Sequence, residues 1–135
     1  MSFIPRFDTK HQVTALAMAV SSTITKYDAL EWASGYLQRA DSSTTEVLYV
    51  ALEGKVTGDS DNTVISVVRT DWGAMFEADT NAAPVQATDV WVKVDLTDHD
   101  TLNESSSSSD VFKIEKIVGA AADKKVLGSF VQKTS

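Results

Sequence analysis

The chain has 135 residues, with 12 Lys and Arg against 19 Asp and Glu, a net charge of −7, no cysteine and two histidines. Thiol nucleophiles, disulfides and cysteine-ligated metals are therefore excluded, and the acidic surplus argues against a nucleic-acid or anionic-membrane surface, where Lys and Arg must neutralise phosphate. Hydrophobic residues make up 43%, enough for a core in one domain, and 16 Val, 5 Ile and 14 Thr against 8 Leu and 3 Met favour strands, because Cβ branching packs well on a pleated sheet and restricts χ1 in a helix.

The chain divides into an extended N-terminal arm, residues 1–12, and a single β domain, residues 13–135. Phe3, Ile4, Pro5 and Phe7 place three large apolar groups and a stiff residue ahead of any strand signal. Pro5 lacks an amide donor and biases Ile4 towards extended geometry. The expectation is an arm that docks on a neighbouring subunit through Phe3, Ile4, Pro5 and Phe7, with Arg6 meeting a carboxylate there. The alternative, an arm that folds back on its own domain, stays open. Arg6 and Lys10 precede the apolar run Val13 to Val20, but that run is short and broken by Thr14, and Pro5 and Asp8 interrupt its basic flank, so it reads against a signal peptide. No apolar stretch approaches the roughly 20 residues of a membrane-spanning helix.

Tyr27 to Ala40 supports two readings. Ala29, Leu30, Trp32, Ala33, Tyr36 and Leu37 fit a helical stripe, whereas Ser34-Gly35 fits a tight turn between two strands. Glu46 to Glu53 and Thr63 to Arg69 read as strands joined by a turn-rich connection. Asp79 to Pro84 reads as a loop. Val90 to Leu96 alternates, with Val90, Val92, Val94 and Leu96 on one face and Trp91, Lys93 and Asp95 on the other, which predicts a half-buried strand. The five-serine run Ser105 to Ser109 has no apolar surface to offset the entropy of ordering and reads as a surface loop. Val111 to Val118 and Val126 to Val131 predict a closing hairpin, in competition with a helix through Ile114, Ile117, Val118, Ala121 and Ala122; Gly119 and Gly128 favour the strands.

Chemistry-bearing signals are sparse. His11 and His99 are the only imidazoles, there is no Gly-x-Ser-x-Gly elbow, and Asp98 and Asp100 make His99 read as part of a solvated turn. The acidic stretches Asp59 to Asn62 and Asp95 to Asp100 offer oxygen ligands but complete no EF-hand loop, so they read as turns without a metal. Neither a Walker loop nor a dinucleotide fingerprint occurs, and no cofactor is expected. Trp32, Trp72 and Trp91 could form a sugar-stacking platform, although core or subunit-contact roles account for them more simply.

In order and spacing, four stretches from about Ser21 to Val131 resemble the small all-β capsid decoration, or cement, proteins of tailed bacteriophages: Ile24 to Leu30 with Ser34-Gly35-Tyr36-Leu37, Val47 to Gly54, the Asp-rich Val94 to Asp100, and Val111 to Val131 around Val118-Gly119-Ala120-Ala121. The resemblance implies strands in Tyr27 to Ala40 and an all-β barrel or sandwich-like domain. It implies a non-enzymatic homotrimer, made in the bacterial cytoplasm, that binds the major capsid protein on the outer surface of the virion, with no nucleic-acid or membrane partner. Another virion part, from tail or head completion, and a carbohydrate-binding module are the alternatives.

Overall fold

The computed structural model describes residues 3–6, 13–19, 22–57, 62–71 and 74–133. Phe7, His11, Asp59 to Asp61 and Trp72 lie outside the described residues. Half of the structure is strand, and among the described residues the single α-helix is the four-residue α1, Gln86–Asp89. The all-β expectation from the branched residues holds.

Six strands build the larger sheet: β1 (Phe3–Arg6), β9 (Met75–Thr80), β10 (Lys93–Asp98), β11 (Thr101–Asn103), β12 (Phe112–Ile117) and β13 (Lys125–Phe130). The order β9-β11-β10-β12-β13 closes into a five-stranded barrel because β13 pairs back onto β9. Along β9 and β13 the alternate residues Phe76, Ala78, Val126 and Phe130 point into the barrel and are buried. The core is an aromatic cluster in which Phe130 lies 5.0 Å from Phe112 and 5.2 Å from Phe76, ring centre to ring centre. Gly128 is required by close approach, since a Cβ there would lie 2.0 Å from the Lys113 carbonyl oxygen and 2.7 Å from the Phe112 ring. The closing hairpin is therefore strand, and the helical spacing of Ile114, Ile117 and Val118 is incidental.

The second sheet has the order β2-β8-β6-β4-β5, from Val13–Ala17, Val64–Arg69, Tyr49–Ala51, Ala29–Ala33 and Tyr36–Arg39. Its central strands β8, β6 and β4 contribute buried residues from both faces. Ala29, Val50 and Val68 join the aromatic core of the barrel, whereas Leu30, Leu37, Ala51, Ile65 and Val67 form a second core with Met18 and Ile24. Double burial explains why these strands read as continuous apolar runs rather than as alternation. A two-stranded ribbon pairs β3 (Thr23–Ile24), in the connection between β2 and β4, with β7 (Lys55–Val56), in the connection between β6 and β8, and sends Ile24 into the second core. The ambiguous segment resolves into the hairpin β4–β5: Ser34 and Gly35 take φ of 52° and 86°, as a two-residue hairpin turn with right-handed strand twist needs.

Several expectations need correction. β10 begins at Lys93, not Val90; Trp91 and Val92 are exposed, and Asp95, assigned to the outer face, is buried. Asp79 and Thr80 belong to β9 rather than to a loop. The arm is extended, but β1 is a strand of its own barrel sheet, paired antiparallel to β9 with Phe3 opposite Ala78 and Arg6 opposite Met75. The physical reason is Phe3, which is 0% exposed and packs 5.0 Å from Phe130 and 5.9 Å from Phe112. A phenyl ring that completes its own chain's core cannot also dock on a neighbour.

Candidate functional site

Three places gather polar side chains, only some of them singled out by sequence. The first joins the two sheets. The carboxylate of Asp28, just ahead of β4, is 2% exposed and accepts from the Thr25 amide at 2.8 Å and from Arg39 Nε on β5 at 2.9 Å through one oxygen. Its other oxygen lies 3.0 Å from His99 Nδ1 in the β10–β11 turn, within hydrogen-bond reach. The Ala29 amide also donates to the His99 carbonyl at 2.7 Å. His99 is thus a half-buried strut between barrel and second sheet, and the expectation of a simple solvated turn is corrected.

Beside it, ligand atoms of Asp98, His99 and Asp100 lie within 4.8 Å of one another, a spacing open to a cation. Internal hydrogen bonds already account for it: the Asp100 amide donates to Asp98 Oδ1 at 3.0 Å and Thr101 Oγ1 to Asp100 Oδ1 at 2.9 Å. Burial raises the pKa of both carboxyls. For Asp98 the hydrogen bonds from Asp100 and the neighbouring imidazole outweigh it and the net is lowered; for Asp100 the adjoining Asp98 adds to burial and the net is raised.

The second place is the serine loop. Buried Asp95 on β10 collects the Ser106 hydroxyl at 2.7 Å and the amides of Ser108, Ser109 and Asp110 at 2.9, 2.7 and 2.9 Å. The loop lies at the surface, as its composition requires, but one carboxylate organises it. Burial pulls the Asp95 pKa up, yet these four donors outweigh it and the net is lowered. No local motif signals this, because the donors are 11 to 15 residues away.

The third place is a cleft of about 350 Å3 between the end of α1, the start of β10 and the same loop, lined by Thr88, Asp89, Val92, Lys93, Val94, Glu104 and Ser105 to Ser107. Asp89 is buried and turns back to accept the Val85 amide at 2.6 Å. Glu104 has a raised pKa, first through burial and then through the charge and hydrogen bond of Asp89 beside it. Neither carboxylate was singled out by sequence, since a separation of 15 positions matches no spacing rule. Trp91 stands next to this lining, 65% exposed, with Lys113 Nζ 4.4 Å above its ring.

Of the expected contact residues, Phe3 is buried in its own barrel, Ile4 and Pro5 are half-buried, and Arg6 is exposed and 3.7 Å from Glu77 of the same chain. Of the tryptophans, Trp32 packs 6.4 Å from Tyr49 on the second sheet, whereas Trp91 lies in the turn ahead of β10 with Lys113 over its ring. Comparison with protein families, with curated proteins and with solved structures finds no match.

Proposed function

We propose that this chain is a capsid decoration protein that binds the outer surface of a tailed-phage head and stiffens it by bridging capsomers. The observation that carries the reading is the surface of the second sheet and its ribbon. Val13, Tyr36 and Val64 are exposed on the face that carries Ala29, Val50 and Val68, Trp32 on the opposite face with Leu30 and Leu37, and Val56 on the ribbon, in a sheet whose central strands β8, β6 and β4 feed two cores. Rigid exposed apolar and aromatic side chains suit contact with another protein, because little conformational entropy is lost when they are covered. The carboxylates of Asp28 and Asp95 are saturated by structural hydrogen bonds, which makes them scaffold rather than chemistry.

The four stretches behind the family resemblance become, in order, the β4–β5 hairpin, strand β6, the β10–β11 turn and the β12–β13 hairpin. A trimer on a local threefold axis would engage several capsomers at once, so that modest single contacts add to slow dissociation. The acidic charge keeps such a protein soluble and off nucleic acid until a shell is available.

The test is cosedimentation of the purified chain with mature shells of the same virus, alongside light scattering of the free protein. Saturable, stoichiometric binding to shells by a trimer is the expected result. A monomer that stays in the supernatant at all shell concentrations overturns the reading.

A further inference from the structure

We propose that the cleft between α1, β10 and the serine loop is a binding site for a neutral pyranose sugar. Its volume of about 350 Å3 suits one or two sugar rings, at the small end of the roughly 300 to 1,000 Å3 typical of ligand sites. Its walls offer what a polyol needs on every side. Asp89 and Glu104 present adjoining carboxyl groups, Lys93 is a donor, and Thr88 and Ser105 to Ser107 are hydroxyls that can both donate and accept. Vicinal hydroxyls of a sugar donate well to paired carboxyl oxygens and accept from lysine and serine.

Two further observations favour this ligand. Trp91 holds φ at 69°, a left-handed backbone rarely adopted by a bulky residue, and its amide is fixed to the Ile114 carbonyl at 2.7 Å. The backbone that carries the indole is thus fixed, and the indole is 65% exposed next to the lining residue Val92; with Lys113 Nζ 4.4 Å over the ring, the apolar C–H face of a sugar would stack on the face that Lys113 leaves uncovered. The charge of the walls then selects among ligands. Two acidic side chains repel phosphates and acidic sugars, while Lys93 disfavours a bare ammonium ion, so the uncharged polyol is the class that meets no like charge. The inference does not rest on the proposed capsid contact, which is argued from other residues.

The experiment is titration of the 15N-labelled full chain with methyl glucopyranoside, methyl galactopyranoside, methyl mannopyranoside and N-acetylglucosamine, with glucuronate and ethanolamine as charged comparators. At least one neutral sugar should shift the amides of residues 88–94 and 104–107 saturably, with a Kd near about 1 mM, as single sugar rings bind weakly. Trp91→Asn, which accepts the left-handed backbone, and Glu104→Gln should each weaken that binding by about tenfold or more while leaving the dispersed spectrum of the rest of the chain intact. No saturable shift with any neutral sugar up to about 50 mM, an unchanged affinity in both variants, or shifts produced only by a charged comparator would overturn the proposal.

Discussion

A single carboxylate holds the serine loop, and the consequence is measurable. Replacing Asp95 by Asn exchanges an acceptor for a donor in front of the Ser106 hydroxyl and three amides, at a cost of about 1 to 3 kcal/mol. The pH dependence follows from the lowered pKa. The unfolded chain takes up the proton at higher pH than the folded one, so the contribution of Asp95 is complete above the ordinary carboxylate range and is lost as pH falls through the folded value. Urea unfolding at pH of about 5 and about 2.5 should show Asp95→Asn costing clearly more at the higher pH. Equal costs at both would mean that the carboxylate charge is not what organises the loop. At Gly128 the constraint is steric instead. Gly128→Ala forces the β12 backbone away from a Cβ that has no room and should cost at least about 2 kcal/mol in the same assay.

Among the elements, β1 departs furthest from its expected role. Because Phe3 is fully buried among Phe112 and Phe130, removal of residues 1–6 should lower stability by at least the roughly 3 to 5 kcal/mol of a Phe→Ala change in a core, and Phe3→Ala alone should reproduce most of it. A melting temperature unchanged by both variants would return the segment to a free arm. Sequence could not decide this, because an apolar residue ahead of the first strand looks the same whether its partner is its own barrel or a neighbour. The β4–β5 hairpin was legible in part: Ser34-Gly35 marked the turn, but Leu30 and Leu37 also fit helical spacing, and only cross-strand pairs such as Glu31 with Gln38, bonded at 2.9 Å, decide between the two. The closing hairpin was legible against its helical competitor because Gly119 and Gly128 disfavour a helix whatever surrounds them. Asp95, Asp89 and Glu104 were not legible as a site, since each acquires its role from residues that only the barrel brings near.

At the scale of the whole molecule, the two sheets do not form separable bodies. Ala29, Val50 and Val68 of the second sheet share one core with Phe3, Phe76 and Phe112 of the barrel sheet, and Asp28 with His99 ties the sheets at the rim. Loss of either sheet would expose the apolar face of the other, so neither has a stable intermediate of its own. Thermal unfolding should therefore be one transition, with Trp32 on the second sheet and Trp91 beside the barrel reporting the same midpoint in variants that keep only one of them, and with calorimetric and van't Hoff enthalpies in agreement. His99→Ala, which strips the Asp28 carboxylate of one partner, should lower both midpoints together by an amount equivalent to about 1 to 3 kcal/mol. If the protein is the proposed trimer, both midpoints should also rise together with protein concentration, since association stabilises only the folded state. Two separate midpoints, with His99→Ala moving only one, would show that the shared core does not couple the sheets, and a rigid bridge between capsomers could not then be built from them.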